Sequence, residues 1–166
     1  MPLQFSRLRI LVIDDNDFMR QLYRQLLQAI GFRPAHITEA TDGRAAIHHL
    51  NDHVCDLAIC DLNMKPMNGK AFTRFMRADP DSPDPYLPIV VCTGHTELVH
   101  IANARDAGAN EILSKPVTGA ALYARLQAVI EAPRPFIITQ DFVGPDRRRR
   151  KIAFDGPERR SGVLEI

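Results

Sequence analysis

Short apolar runs that end on polar side chains recur through the first two thirds of the chain. Each run is rich in Ile, Val and Leu and is short enough to be a single buried strand. The runs cover residues 10–13, 57–60, 89–92 and 112–113. The polar residues that follow them are, in the same order, Asp14 with Asp15, Asp61, Thr93, and Ser114 with Lys115. The pattern predicts buried strands that each deliver a polar group at the carboxyl end.

Helical patterns separate these strands. Phe18, Leu22, Leu26 and Ile30 recur every four residues, which predicts an amphipathic helix that ends at Gly31. A weaker strand is expected over residues 34–40, and further helices over residues 42–50, 70–78, 97–107 and 118–131. Strand and helix thus alternate five times, which is typical of a parallel sheet covered on both faces. The predicted fold is a doubly wound α/β domain with five parallel strands.

The polar strand ends are expected to form one site. Right-handed crossovers place the carboxyl ends of all the strands at one edge of the sheet, where such folds bind their ligands. At about 4 Å, each pair among Asp14, Asp15 and Asp61 would cost on the order of 1–4 kcal/mol, so the cluster requires a cation. Carboxylate oxygens at a wet edge suit Mg²⁺. A carboxylate beside bound Mg²⁺ can accept a phosphoryl group, whose oxygens Thr93 and Lys115 would contact.

A simpler interpretation exists for each carboxylate taken alone. An Asp at a strand end is most often the cap of the following helix, and Asp15 or Asp17 could serve only as a cap. The joint pattern of two carboxylates, a third carboxylate, a hydroxyl and an ammonium after successive strands is far less frequent by chance. We therefore favour the phosphoryl-accepting site over a set of helix caps.

Composition sets broad limits on the class of protein. The 166 residues suit one domain with an appendage, and 45% of them are hydrophobic. No apolar run approaches a membrane span, and the first residues lack a signal segment, so we expect a cytoplasmic location without membrane insertion. Cys55, Cys60 and Cys92 have neither zinc-ligand nor redox spacing and are interpreted as reduced core residues.

The positive charge is concentrated at the C-terminal end. Residues 1–132 hold 13 Lys/Arg and 15 Asp/Glu, whereas residues 133–166 hold 8 and 5. The latter segment contains a Gly-Pro-acid-Arg-Arg unit at residues 144–148 and again at residues 156–160. It has few apolar residues to offset the entropy of ordering, so ordinary structure is not expected there without a partner.

The repeated unit has the chemistry of a guanine-nucleotide ligand set. The planar fork of Arg fits guanine O6/N7 and phosphate, and the adjacent acid can accept from a guanine N–H or orient its Arg. Two copies suit a ligand with two guanines and two phosphates, which describes cyclic di-GMP. The alternative is a basic tail that binds anionic surfaces or RNA without specificity; the repeat favours the nucleotide.

Residues 7–131 resemble a response-regulator receiver domain of the CheY-like superfamily, with Asp14-Asp15, Asp61, Thr93 and Lys115-Pro116 at the family's motif positions. The resemblance implies a flavodoxin-like strand order 2-1-3-4-5 and a cis Lys115–Pro116 peptide. It implies that Asp61 is the phosphoacceptor, Thr93 the switch hydroxyl and Lys115 the phosphate contact. Metal ligands would be the Asp15 and Asp61 carboxylates and the Asn63 carbonyl, with Asp14 holding a metal-bound water.

Two positions depart from the family pattern. Lys65 stands where the loop after Asp61 usually has Pro, which is displaced by one residue to Pro66. Ile112 stands three residues before Lys115, where an aromatic residue is usual. Without an aromatic rotamer to couple to the hydroxyl, the readout through the fourth helix and fifth strand is expected to be weak or different.

Residues 132–166 resemble the arginine-rich extension of the CheY-like cyclic di-GMP effectors of flagellated bacteria. The resemblance implies that the nucleotide orders the segment and directs the receiver to the flagellar motor or another partner. It rests on the acids and arginines of the two units and on the two arginines that follow the first unit, namely Asp146, Arg147, Arg148, Arg149, Arg150, Glu158, Arg159 and Arg160.

Three functional hypotheses follow. The first is a stand-alone response regulator, phosphorylated by a histidine kinase or phosphotransfer protein, that also binds cyclic di-GMP; no DNA partner is expected, because no DNA-binding domain follows. The second is the same receiver acting only as a phosphate shuttle or docking module. The third is an Mg²⁺-dependent phosphohydrolase of the haloacid type. That class would have a second Asp two residues after Asp61, where this chain has Asn63, so we do not expect an enzyme.

Overall fold

The computed structural model describes residues 3–94 and 98–147 and the backbone of residues 164–165. Strands and helices alternate through residues 10–131, and three short strands follow. Single 3-10 turns precede the first and second strands. The strands and helices are β1 (Ile10–Ile13), α1 (Asp17–Ile30), β2 (Ile37–Ala40), α2 (Gly43–Asp52), β3 (Leu57–Asp61), α3 (Gly69–Ala78), β4 (Ile89–Thr93), α4 (Leu98–Ala107), β5 (Glu111–Ser114), α5 (Gly119–Glu131), β6 (Phe136–Ile138), β7 (Val143–Pro145) and β8 (Leu164–Glu165).

The first five strands form one parallel sheet in the order β2-β1-β3-β4-β5, which confirms the predicted fold and strand order. The register aligns the carboxyl ends of the central strands. Asp61 lies opposite Cys92, and Thr93 lies opposite Ser114. The polar residues that follow the apolar runs are thereby brought to one edge of the sheet, as expected for strands joined by right-handed crossovers.

Successive strand residues point to opposite faces of the sheet, and helices bury both faces. On one face, α1 and α5 pack through residues such as Tyr23, Leu27 and Leu122. On the other face, α2, α3 and α4 pack through residues such as Phe72 and Met76. The three cysteines are free and buried, in agreement with the prediction of reduced core residues. None of the helices in the described part of the chain is long and apolar enough to cross a lipid bilayer.

The cap of α1 decides between the two interpretations of the first carboxylates. The side chain of Asn16 accepts a hydrogen bond from the Met19 N–H, so Asn16 is the N-cap. Asp17 is the first helical residue and pairs with Arg20 at 2.8 Å. Asp15 does not cap the helix. Its carboxylate can therefore serve the acidic edge of the sheet.

The segment after α5 is more regular than its composition suggests. Strands β6 and β7 form an antiparallel hairpin, and β8 pairs antiparallel with the other edge of β6. The expectation of no ordinary structure in this segment does not hold over residues 136–145. The physical reason is that Phe136 and Ile137 are buried. The Phe136 ring meets Tyr86 edge-on with centroids 5.1 Å apart.

Candidate functional site

Three carboxylates converge at the carboxyl edge of the sheet. Asp14 and Asp15 follow β1 directly, and Asp61 is the last residue of β3. One ligand oxygen from each lies within 4.8 Å of the others. Asp14 and Asp61 are buried, with 0% and 6% of their surface exposed, while Asp15 faces solvent. The predicted acidic cluster is thus present and has one open side.

One carboxylate oxygen of Asp14 is buried without a hydrogen bond among the described residues. Its Oδ1 accepts the Asn16 N–H at 2.8 Å, but its buried Oδ2 has no hydrogen-bond partner in the described structure. Burial raises the pKa of Asp14, and the charges of Asp61 and Asp15 raise it further; the Asn16 N–H and the Lys115 ammonium act in the opposite direction. A buried carboxylate oxygen without a partner is costly, so the site favours a cation or a cation-bound water at this oxygen.

Lys115 provides a positive charge next to Asp61. Its Nζ lies 3.2 Å from Asp61 Oδ1, and its backbone N–H donates to the Thr93 carbonyl at 2.9 Å. The Lys115–Pro116 peptide is cis, as the resemblance implied. Thr93 is fully buried at the end of β4, beside the strand that carries Lys115. Thr93, on the strand next to β3, and Lys115, directly after β5, therefore lie at the same edge of the sheet as Asp61.

The loop after β3 is held tightly against the site. The Leu62 N–H donates to the Cys92 carbonyl at 2.9 Å, and the Gly69 N–H donates to the Leu62 carbonyl at 3.1 Å. Asn63 is exposed in this loop, two residues after Asp61. Asn63 thus belongs to the loop that follows the carboxyl end of β3.

Gly69 is required by this close approach. A Cβ at Gly69 would lie 2.3 Å from the Asp61 carbonyl oxygen, a backbone atom that cannot move aside without shifting Asp61 itself. We expect Gly69→Ala to lower the free energy of unfolding by about 1–3 kcal/mol in urea titration. Gly119→Ala is the control, because its Cβ would meet only Leu26 Cδ2 at 3.7 Å. Equal stability of the two variants would contradict the prediction.

The residues at the acidic edge fit a magnesium ion. They offer hard oxygen ligands at an open edge, and the partnerless Oδ2 of Asp14 marks where a cation or its water is needed. Asp15, Asp61 and the Asn63 carbonyl would bind the ion, with Asp14 acting through a bound water. When bound, Mg²⁺ would neutralise the carboxylate repulsion and offset the charge of a phosphoryl group on Asp61.

Residues 10–127 match the family model of the response regulator receiver domain. The chain belongs to this family. Chemotaxis protein CheY-3 of Vibrio cholerae is 32% identical over 126 residues, which cover 76% of this chain and 94% of that protein. Chemotaxis protein CheY of Pseudomonas aeruginosa is 32% identical over 124 residues, or 75% and 97%. The chain is therefore a receiver of the CheY type in two-component signalling.

Solved receiver structures agree with this assignment. CheY4 of Vibrio cholerae superimposes with a TM-score of 0.66 at 29% identity, over 74% of this chain and 98% of that one. The receiver domain of a sensor histidine kinase from Pseudomonas aeruginosa PAO1 has a TM-score of 0.66 at 26% identity, over 75% and 98%. That structure has a magnesium ion coordinated in the active-site cleft, the kind of ion that the carboxylates of this receiver fit.

Arg20 was missed by the sequence interpretation of the receiver site. Its Nη1 donates to the Asp14 carbonyl at 2.7 Å, and its Nη2 donates to Asp17 Oδ1 at 2.8 Å. The contact fixes the backbone from which the acidic pair projects. The three-residue spacing of Asp17 and Arg20 on a helix was the available signal for the second bond, but the contact with a backbone carbonyl has no sequence signature.

The structure describes only the first part of the predicted nucleotide-binding segment. The Asp146 N–H donates to the Pro135 carbonyl at 2.7 Å, and Arg147 pairs with Asp106 of α4 at 2.5 Å. These two residues therefore lie beside the receiver body. The other predicted contacts lie outside the described residues, namely Arg148, Arg149, Arg150, Glu158, Arg159 and Arg160.

Proposed function

We propose that this receiver accepts a phosphoryl group on Asp61 with Mg²⁺, and that its arginine-rich segment binds cyclic di-GMP and directs binding to a partner, the flagellar motor switch. The observation that carries the first part is the position of the Asp61 carboxylate, which lies 3.2 Å from the Lys115 ammonium and has an oxygen within 4.8 Å of one from Asp14, whose Oδ2 has no hydrogen-bond partner in the described structure. This is a buried nucleophile with one open side.

The residues divide the chemistry of phosphoryl transfer between them. A carboxylate oxygen of Asp61 forms the new bond to phosphorus while the bond between phosphorus and the donor breaks, and the donor leaves with the electron pair. Lys115, already 3.2 Å from Asp61 Oδ1, would move its ion pair from the carboxylate to the phosphoryl oxygens. The Thr93 hydroxyl would donate to the same oxygens. The donor would be the phosphohistidine of a histidine kinase or phosphotransfer protein.

The relatives and the charge of the C-terminal segment support the output. Two similar proteins carry the name chemotaxis protein, which favours a partner in the motility apparatus. The repeated Gly-Pro-acid-Arg-Arg units provide paired forks for two guanines and two phosphates. The first unit begins within β7, so it starts from a defined position on the receiver rather than from a free end.

Nucleotide binding is tested by isothermal titration calorimetry with cyclic di-GMP. We expect the wild type to bind, and Arg147→Ala/Arg148→Ala and Arg159→Ala/Arg160→Ala to weaken binding about tenfold or more, because each removes two charge-assisted hydrogen-bonding groups. The matched control is Arg44→Ala/Arg74→Ala, which removes two exposed arginines of α2 and α3. The Kd of this control should lie within a factor of about two of the wild-type Kd, because only the general electrostatic attraction of the anion is reduced.

The outcome also decides between the proposed output and the second hypothesis. No heat from the wild type at high micromolar nucleotide would leave a receiver that works as a phosphate shuttle or docking module. An equal loss in the tail variants and in the α2/α3 control would indicate unspecific attraction of an anion to a basic chain.

A further inference from the structure

Arg147 is held in one orientation by two contacts with the body of the protein. Its Nη1 donates to Asp106 Oδ1 of α4 at 2.5 Å. Its guanidinium carbon lies 4.7 Å from the centroid of the Phe142 ring, which is the geometry of a cation–π contact. The side chain is nevertheless 55% exposed. An arginine that is oriented but accessible is unusual for a basic segment that binds anions without specificity.

Two hydrogen bonds hold the backbone of Phe142. The Phe142 N–H donates to Thr139 Oγ1 at 2.9 Å, and the Thr139 N–H donates to the Phe142 carbonyl at 2.7 Å. Beyond it, Gly144 packs so closely on the turn after α4 that a Cβ there would lie 2.9 Å from Gly108 Cα. The β6–β7 hairpin thus packs closely against the end of α4 at Gly144.

A second arginine ties the same hairpin to β5. Arg134 donates to the Asn110 carbonyl and lies 3.1 Å from Glu111 Oε1. It also donates to the Asp146 carbonyl at 3.2 Å, one residue before Arg147. The backbone that carries Arg147 is therefore anchored to the receiver from both sides of the hairpin.

The contacts of Arg147 leave part of its fork for a ligand. Asp106 accepts a hydrogen bond from Nη1, and the Phe142 ring contacts one face of the guanidinium. Among the described residues, the Nε and Nη2 groups have no hydrogen-bond partner in the structure. This edge has the parallel donors that fit two phosphate oxygens, or guanine O6 and N7.

We propose that Asp106 and Phe142 are positioning residues of the nucleotide site, so that α4 of the receiver contributes to the binding of cyclic di-GMP through Arg147. The inference rests on the proposed function. The physical basis is preorganisation: the rotamer freedom that a free arginine would lose on binding has already been lost in the protein without ligand.

The sign of the effect of Asp106 separates positioning from simple electrostatics. The ligand is an anion, so removal of an acidic side chain near the site should strengthen binding if only net charge matters. If Asp106 orients Arg147, its removal should weaken binding although the site becomes more positive. If Asp106 instead competes with the ligand for Arg147, its removal should strengthen binding by more than a distant acid does.

The test is calorimetry of the full chain with cyclic di-GMP. We expect Asp106→Ala and Phe142→Leu each to raise the Kd about three- to fivefold, since exposed ion pairs and cation–π contacts are individually weak. The control is Asp141→Ala, an exposed acid on the same hairpin, which should leave the Kd unchanged or lower it slightly. Thermal melts of all three variants should match the wild type.

A double-substitution cycle supplies the readout that a purely structural role would not change. In an Arg147→Ala background, Asp106→Ala should no longer raise the Kd. A rise of the same size with and without Arg147, no rise at all, or a fall larger than that of Asp141→Ala would each overturn the positioning role while nucleotide binding itself stands. Absence of binding by the wild type would overturn both the proposed function and this inference.

Discussion

Replacement of Asp61 by Asn is expected to abolish uptake of a phosphoryl group from a small phosphodonor in the presence of Mg²⁺. The amide has nearly the shape of the carboxylate, but its oxygen lacks the charge that makes it a nucleophile. The substitution also removes one of three carboxylates whose oxygens lie within 4.8 Å of one another. Intact-mass spectrometry should detect one added phosphoryl group on the wild type and none on Asp61→Asn.

Two controls sharpen this experiment. Asp52→Asn makes the same chemical change on an exposed residue of α2 and should be phosphorylated like the wild type. Chelation of Mg²⁺ should suppress the wild-type reaction, because three carboxylates and no metal leave the incoming group facing uncompensated negative charge. Phosphorylation of Asp61→Asn at the wild-type level would assign the acceptor role to another residue.

Substitution of Arg77 by Met is expected to cost about 3 kcal/mol of unfolding free energy. Arg77 of α3 is only 4% exposed. Its Nε donates to the Gly108 carbonyl at 2.9 Å, its Nη1 to the Pro85 carbonyl at 2.9 Å, and its Nη2 to Asn110 Oδ1 at 2.8 Å. Met fills much of the space of the Arg77 side chain but leaves these acceptors without their donor, and each lost hydrogen bond costs about 1–3 kcal/mol. The removal of a buried charge offsets part of this cost.

The charge of Arg77 explains why the loss should stay moderate. Burial lowers the pKa of Arg77 to about 9, with a smaller opposing effect of Asp84, so the protein keeps this cation at a desolvation cost. The guanidinium carbon also lies 4.9 Å from the centroid of the Phe136 ring. Arg77 thus joins α3, the loop before β4, the α4–β5 turn and the C-terminal hairpin.

Urea titration at neutral pH measures the effect. Arg74→Met on the same helix is the matched control; Arg74 is exposed, so its loss should change stability by no more than about 0.5 kcal/mol. If Arg77→Met does not fold, Arg77→Lys provides the comparison, because it keeps the charge and loses the planar fork. A stability equal to that of the Arg74 control would show that the buried hydrogen bonds contribute nothing net.

The sheet and its acidic edge could be predicted because their signals are local and repeated. Each apolar run predicts a buried strand by its composition alone, and the geometry of parallel strands predicts the position of the polar residue that follows it. Asp14, Asp61 and Lys115 were assigned to one pocket on this ground, and the carboxylate cluster and the Lys115–Asp61 pair confirm their proximity. The family resemblance added the strand order, which alternation alone does not fix.

The C-terminal hairpin could not be predicted because the signals for it are neither local nor repeated. Its strands are three residues long, and the groups that hold them are distant in sequence. Phe136 packs on Arg77 and Tyr86, and Arg134 reaches Glu111. An arginine in a helix is normally expected at the solvated face, so nothing in the sequence marks Arg77 as the centre of a buried contact.

The pairing of β8 with β6 affects how the arginines should be removed in any experiment. Strands β7 and β8 flank β6, so their backbones are about 10 Å apart, two strand spacings. A truncation after Pro145 would delete not only the basic side chains but also the strand that covers one edge of β6. That edge would then be free to pair with another molecule. Charge-removing substitutions that keep β8 in place avoid this artefact, and affinity tags are better placed at the N-terminus.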